Sequence, residues 1–497
     1  MSYEKYVEHC QKIADVQYSN ALLQWDQEVN MPEKGADGRS RQIATLSVIA
    51  HEWSTDDEYG QLLESLSKDE SLSWEQKRNV EVSLEEFKKH QKYNSAFVKK
   101  MSSTISKAFN AWQAARKAND FQVFVPALEE IIALKREEAA LLGFQGHPYN
   151  ALLNEYEPGA TVAMIDELFV GVKSSLLSLL DKINSSTKPV NSFAGKKINA
   201  DGQWKVSIEF LKKMGYDFKA GRQDYGQHPF CTNFNSNDVR VTTRANEDDI
   251  FDMLSSSIHE GGHALYEQGL LYENYGLPAG AYISLGIHES QSRLWENNVG
   301  RSKAFWKDNF SILEKSFPEE CIGLSSEEVF LSNNIVEPTF IRVQADELTY
   351  HFHVMIRYEL EKRLMEGSLE VKDLKDEWNN MYRQYLGIEV TSDNQGVLQD
   401  VHWSHGLMGY FPTYSLGSFY AAQFYDQATK DIPNLEDKIA SGDLLILKEW
   451  LNKNIHQYGK LYGAEEICKK VTGEGLNFDY FYEYLSGKLA KVYGWED

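Results

Sequence analysis

At 497 residues the chain exceeds what one hydrophobic core usually serves, so two or three packed subdomains are expected. Its 51 Lys and Arg against 74 Asp and Glu give a formal charge of −23, which argues against nucleic acid or an anionic membrane as partner, since both reward basic surfaces. Four cysteines (Cys10, Cys231, Cys321, Cys468) lie far apart with no C-x-x-C pair, which argues against a zinc ribbon or a disulfide framework and points to buried thiols in a reducing compartment.

The start, M-S-Y-E-K-Y-V-E-H-C, has neither a basic flank nor an apolar run, and no apolar stretch reaches the roughly 18 residues of a membrane span, so a cytoplasmic location is expected. From Tyr3 to about Leu180 apolar residues recur at helical spacing, as in Val80, Leu84, Phe87 and in Leu128, Ile131, Ile132, and predict helical hairpins. M-P-E-K-G-A-D-G from Met31 is expected to be a loop. Ser186 to Gly202 is a polar connection, placing a soft boundary between a mainly helical N-terminal lobe (1–200) and a second helical region with a small sheet (201–497). From Cys231 to Thr243, alternation and β-branched residues around N-S-N predict a hairpin. Helical spacing returns after Ala245 and continues almost to Trp495, so the expected class is mainly α with a minor sheet.

One helix carries the chemistry. S-I-H-E-G-G-H-A-L-Y-E-Q-G (Ser257–Gly269) holds two adjacent glycines, each costing a helix roughly 0.5–1 kcal/mol relative to alanine. Asn246 is the expected N-cap and Gly269 the expected residue after the last turn. At about 100° per residue, Ile250, Leu254, Ile258, Gly261 and Leu265 form the packing stripe, while His259 and His263 sit roughly opposite it, one turn apart. Gly261 then admits a neighbouring helix; Gly262, flanking the histidines, is expected to leave room for substrate or for the hairpin strand. H-E-x-x-H lets two imidazoles share one zinc, with Glu260 turned toward the attacking water.

A catalytic zinc needs a third protein ligand. The next helix, S-L-G-I-H-E-S-Q-S-R-L-W-E-N-N-V-G, is expected to run from Ser284 to a stop at Gly300, and offers Glu289. Glu289 alternatively only pairs with Arg293 at i+4. His288 and Glu296 are rival ligands, and Asp252 or Ser256 are candidates to orient an imidazole.

The sequence resembles the M32 metallocarboxypeptidases, the carboxypeptidase Taq family of gluzincin peptidases. The resemblance spans nearly the whole chain: W-D-Q-E-V-N-M-P-E-K-G-A from Trp25, H-P-F at His228–Phe230, D-V-R-V-T at Asp238–Thr242, H-E-G-G-H, H-E-S-Q at His288–Gln291, I-R-V-Q-A-D at Ile341–Asp346, and G-V-L-Q-D-V-H-W at Gly396–Trp403. It implies removal of single residues from peptide C-termini with broad specificity, one zinc per chain with cobalt as a possible substitute, a two-lobed helical saddle around a deep cleft, and a homodimer. Residues 201–497 would then be the catalytic region of one continuous peptidase unit.

Within that reading Glu260 is the general base. The run H-G-L-M-G-Y-F-P-T-Y resembles a His-x4-Tyr-x3-Tyr pattern of related oligopeptidases and offers His405 or Tyr414 as oxyanion donor, with His402 competing. Those relatives have a further tyrosine where this chain has Gly417. An exopeptidase must also hold a free carboxylate, which an arginine fork does best, and Arg240 and Arg342 are the candidates. Either is alternatively a structural partner of Asp238 or Asp346. His228 and Gln399 complete the expected substrate-binding residues.

Overall fold

The computed structural model describes residues 2–226 and 228–495, and it is mostly helical with one small sheet. Contacts divide the chain into two compact units, each assembled from three separated stretches: Met1–Gln91, Val190–Asn333 and Gly417–Asn477 in one, Lys92–Pro189, Asn334–Leu416 and Phe478–Asp497 in the other. The chain passes from the second unit into the first at Pro189–Val190, inside the polar connection seen in the sequence. Among the described residues no helix is long and apolar enough to cross a membrane.

In the first unit the N-terminal helices Tyr3–Val29, Asp57–Leu66 and Trp74–His90 close around Tyr6, Ile13, Leu63, Val80 and Phe87. Tyr6 is fully buried and its hydroxyl donates to the Asn79 carbonyl at 3.0 Å, so this polar atom carried into the core is satisfied. The segment after Met31 is tighter than a plain loop: a 3-10 turn at Glu33–Gly35 leads directly into a helix, Ala36–Ser54.

The expected hairpin is present as β2 (Phe230–Asn235) and β3 (Asp238–Thr243), paired antiparallel with an irregularity at Asn233–Asn235. A preceding strand, β1 (Gly221–Tyr225), joins the other edge of β3 in parallel, giving the order β1-β3-β2. Being central, β3 buries Val239, Val241, Thr242 and Thr243. The chain then enters the helix Ile250–Gly269, termed here the motif helix. Its cap is Asp249, whose carboxylate accepts from the Phe251 amide at 2.9 Å, and not Asn246, whose side chain caps the preceding turn by accepting from the Asp248 amide. The helix ends within Gly269 itself, followed by an extended Leu270 rather than a left-handed cap.

In the second unit the helix Tyr350–Glu366 is enclosed nearly all round, with Phe352, Val354, Ile356 and Leu360 at 0 % exposure and the charged Arg357 and Glu361 equally buried. Glu361 accepts from Tyr149, from Trp403 Nε1 and from the Gly409 amide. Arg357 donates to Asp400.

Candidate metal centre

Packing fixes the rotation of the motif helix. Ile250, Leu254, Ile258 and Leu265 are all but completely buried, as the apolar stripe requires. A Cβ on Gly261 would lie 2.5 Å from Leu211 Cδ2, so the helix Ala200–Met214 packs directly on that glycine. Gly262 proves to have a different neighbour from the one expected. A Cβ there would lie 2.6 Å from the Gln291 carbonyl oxygen and 2.7 Å from Ser292 Cα, so this glycine admits the backbone of a second helix rather than substrate or strand.

That second helix, Leu285–Arg293, is capped by the Ser284 hydroxyl, which accepts from the Ile287 amide at 3.1 Å. It does not continue as α-helix to Gly300: Leu294–Gly300 is a π-helix, every residue of it buried. The two helices run antiparallel, since His259 meets Glu296 while His263 and Glu267 meet His288.

Between them His259, His263 and Glu289 each offer one ligand atom, all within 4.8 Å of one another. Glu289 Oε2 lies 3.4 Å from His263 Nε2 and 3.7 Å from His259 Nε2. Ligands about 2.1 Å from a tetrahedral zinc are separated by about 3.4 Å, so the three atoms are spaced to share one small cation and leave a fourth position open. The other Glu289 oxygen accepts from Arg293 Nε at 2.7 Å, so the ion pair and the histidine contact coexist on one carboxylate. Pairing with Arg293 therefore leaves Oε2 facing the two imidazoles. An imidazole that ligates must present a bare nitrogen, and His259 directs Nδ1 to Glu296 Oε2 at 2.8 Å, which leaves Nε2 as the nitrogen on the side of Glu289.

The rivals Glu296 and His288 thus stand behind the imidazoles, on their Nδ1 side, rather than among the converging atoms. Asp252 and Ser256 bond elsewhere, to Arg244 and Asn246 and to the Met253 carbonyl. Arg293 also donates to Glu296 at 3.1 Å, tying the two carboxylates together. Burial alone would raise Glu289 and Glu296, but Arg293 and His259 hold both well below the usual carboxylate range. Burial, assisted by His288, pushes His263 down to about 3 and keeps it neutral. His259 moves the other way: burial disfavours its charge, yet Glu289 and Glu296 outweigh that and raise it.

Glu260 follows His259 and is 7 % exposed. Among the described residues no donor bonds its carboxylate, and burial pushes it up to about 7 against the opposing influence of His259. A buried carboxyl free of partners and poised near neutrality is chemically a proton acceptor. Gly417 also bears on the centre. A Cβ on it would lie 2.5 Å from Glu289 Cγ and 2.6 Å from Glu289 Cβ, so a side chain of any size there would displace the Glu289 stem.

The whole chain has relatives with this character. Residues 5–489 match the family described as Carboxypeptidase Taq (M32) metallopeptidase. The chain belongs to the M32 metallocarboxypeptidases. It is 38 % identical to Carboxypeptidase 1 of Bacillus subtilis, with 99 % of each chain covered, and 37 % identical to Thermostable carboxypeptidase 1 of Pyrococcus furiosus, with 96 % of each covered. The structure of an M32 carboxypeptidase from Deinococcus radiodurans superposes with a TM-score of 0.96 over 99 % of both chains, at 39 % identity. The protein is therefore an enzyme, a peptide hydrolase of the metallocarboxypeptidase type, and the family implies a metal ion.

The remaining expected site residues of this metallocarboxypeptidase fall into separate settings. In the first unit Arg240, on β3, makes a two-pronged pair with Asp238, both contacts 2.8 Å, and its guanidinium lies over the rings of Trp25 and Phe234 at 4.4 and 4.8 Å. His228 is exposed just before β2, and its carbonyl accepts from the Thr242 hydroxyl at 3.0 Å.

In the second unit Arg342 is 6 % exposed, but its partner is Asp400, not Asp346; it also donates to the Tyr350 hydroxyl at 2.9 Å. Asp346 instead caps the turn that follows it, accepting from the Leu348 and Thr349 amides. Gln399 braces Arg342 by accepting from its amide at 2.8 Å while donating to the Phe340 carbonyl. His402 and Tyr414, weighed as competing donors, are hydrogen-bonded to each other at 3.0 Å, and burial together with Arg342 keeps His402 neutral, down to about 3. His405 is exposed, its ring edge-on to Phe109.

Sequence reasoning missed Asp400 and Arg357. Asp400 had a signal, being the acid of G-V-L-Q-D-V-H-W; Arg357 had none, since it sits in an ordinary-looking helix.

Proposed function

We propose that the protein is a zinc-dependent carboxypeptidase that releases single amino acids from the C-termini of peptides with broad specificity, with His259, His263 and Glu289 as the metal ligands and Glu260 as the general base. The observation that carries this reading is the convergence of two Nε2 atoms and one carboxylate oxygen beside the buried Glu260, whose carboxylate no donor bonds among the described residues. A divalent ion bound there supplies Lewis acidity toward the scissile carbonyl and lowers the pKa of water toward about 7. Zinc is preferred over a harder cation because two of the three donors are imidazoles, and cobalt fits the same donor set.

Glu260 takes a proton from the attacking water and returns it to the leaving amine, a task suited to a carboxyl raised toward neutrality. Tyr414 is the preferred donor to the oxyanion: the neutral His402, with hydrogen on Nε2, donates to its hydroxyl oxygen and so holds the phenol in place while leaving the phenolic hydrogen for the oxyanion. His405 is exposed and turned edge-on against Phe109.

For the substrate carboxylate, Arg342 is better suited than Arg240. Arg240 is neutralised one-to-one by Asp238. Arg342 and Arg357 share the single Asp400, which leaves one buried positive charge for an anion to meet. His228 and Gln399 then act through position, flanking β2 and bracing Arg342. A cytoplasmic homodimer is part of the same reading: four free cysteines fit a reducing compartment, and the dimer rests on the family resemblance.

The test compares a peptide bearing a free C-terminus with its amidated twin, alongside metal analysis of the active protein. Release of one residue at a time from the free peptide alone, by protein containing about one zinc per chain, is expected. Equal cleavage of both peptides would replace carboxylate recognition with an endopeptidase reading. Activity persisting without any transition metal would end the proposal.

A further inference from the structure

The two imidazoles are held from behind in different ways. His259 Nδ1 meets the Glu296 carboxylate directly. His263 Nδ1 meets no carboxylate but another imidazole, His288 Nδ1, at 2.6 Å. Two such nitrogens can share only one hydrogen, so one ring donates and the other accepts.

The far side of His288 decides which. Its Nε2 lies 2.8 Å from Glu267 Oε1, and the other oxygen of Glu267 accepts from Asn233 Nδ2 at 2.5 Å. Both carboxylate oxygens are acceptors, so His288 Nε2 carries hydrogen. In the tautomer with its hydrogen on Nε2, His288 accepts through Nδ1, so His263 Nδ1 carries the shared hydrogen and His263 Nε2 presents a lone pair toward Glu289. The opposite arrangement, with a hydrogen on His263 Nε2, is incompatible with ligation.

Three elements converge to build this chain of contacts. Glu267 lies one turn beyond His263 on the motif helix, His288 immediately precedes Glu289, and Asn233 comes from β2. The His288 ring is fixed by Tyr282, edge-on at 4.8 Å, and by Tyr266 at 5.4 Å.

We propose that His288 and Glu267 are positioning residues that hold His263 in its Nδ1–H tautomer, through the sequence Asn233, Glu267, His288, His263, so that Nε2 is free for the metal. The inference rests on the reading of His263 as a ligand.

The experiment measures zinc affinity of the full chain by competition with a chromogenic chelator for the native protein and for His263→Gln, His288→Leu and His288→Asn. His263→Gln is expected to lose at least about 10²-fold, and His288→Leu about 10- to 100-fold. In His288→Asn the amide oxygen replaces Nδ1 as acceptor, so affinity should stay within about fivefold of native. His288→Leu within about twofold of native, while His263→Gln loses the metal, overturns the proposal but not the ligand reading. A loss in His288→Asn as deep as in His288→Leu also overturns it, since packing rather than the acceptor would then matter. Native-like binding by His263→Gln removes the ligand reading and this proposal together.

A second measurement needs no variant to fold beyond the one used for assignment. In metal-free native protein labelled with 15N-histidine, the His263 ring, identified by its loss in His263→Gln, should show hydrogen on Nδ1. Hydrogen on Nε2 overturns the proposal.

Discussion

Replacing Gly262 by alanine adds one methyl group to the face where the motif helix touches the helix bearing Glu289. The new carbon would lie 2.6 Å from the Gln291 carbonyl oxygen and 2.7 Å from Ser292 Cα, both backbone atoms that no rotamer change can move. Relief to ordinary contact requires the two helices to part by roughly 0.5–1 Å, at a typical overpacking cost of about 1–3 kcal/mol. Alanine gains the helix up to about 1 kcal/mol of propensity, so the net effect is destabilising. Because Glu289 sits two to three residues from the points of contact, the displacement also moves it away from the imidazoles, and a misplacement near 1 Å costs catalysis about 10²-fold. The assay pairs thermal unfolding with kcat/KM and zinc affinity. Gly171→Ala serves as the control: it lies in the helix Val162–Asn184 with nothing within 4 Å of its added Cβ, and should stabilise by roughly 0.5–1 kcal/mol. If Gly262→Ala behaves like Gly171→Ala, with raised stability and unchanged kcat/KM, close helix approach is not what this glycine provides.

Glu260→Gln should retain zinc while losing about 10²- to 10⁴-fold in kcat, measured on metal-loaded protein; normal turnover would remove the general base. Arg342→Lys keeps the charge and loses the fork, so kcat/KM on free-carboxylate peptides should fall about 10²-fold and the preference over amidated twins should shrink. Arg240→Lys should chiefly lower thermal stability through its lost ring and Asp238 contacts, and the opposite assignment of effects would exchange the two arginines. Burial pushes Glu361 up to about 7, against the donors Tyr149, Gly409 and Trp403, so the folded state holds a proton that the unfolded chain releases near pH 4.3. Its contribution is therefore fully present below about pH 4.3 and is lost as pH rises through about 7, by an order of 1–3 kcal/mol. Denaturation midpoints should show the native protein falling between about pH 4.3 and 7 relative to Glu361→Gln and level above that; parallel curves would refute the assignment.

The parts of the centre that repeat at short range were legible in the sequence. His259 and His263 are one helical turn apart, so their shared face follows from periodicity alone, and the burial of Ile250, Leu254, Ile258 and Leu265 fixes where that face points. Glu289 needed only a second helix returning beside the first, and that helix was read from Ser284 onward. The hairpin β2–β3 was visible in its alternation, whereas β1 was not: G-R-Q-D-Y has one buried side chain and no apolar alternation, and is a strand because β3 offers it a parallel edge. The two arginine assignments show the same divide. Asp238, two residues from Arg240 and offered as its alternative partner, does pair with it, while the partner of Arg342 is 58 residues away and the local alternative, Asp346, caps a turn instead.

What was not legible is the layer behind the proposed ligands, and the reason is geometric. Glu296 lies two turns past Glu289, roughly 10 Å along an ordinary helix axis, which is too far for both to reach one ion. Because the two helices run antiparallel, the same offset carries Glu296 from the level of His263 to that of His259, where it meets Nδ1 at 2.8 Å. The π-helical segment Leu294–Gly300 alters the spacing at that point, and Arg293 and Arg301 hold the carboxylate in place. No sequence pattern marks a π-helix, so a straight continuation to Gly300 was the natural expectation, and Glu296 looked like a failed ligand. Gly262 looked like room for substrate for the same reason: the register between two antiparallel helices is a tertiary quantity. Once that register is known, the adjacent glycines are no longer a cost without a return. One admits the helix Ala200–Met214 and the other the helix Leu285–Arg293, and the second approach brings Glu289 within 3.7 Å of both imidazole nitrogens.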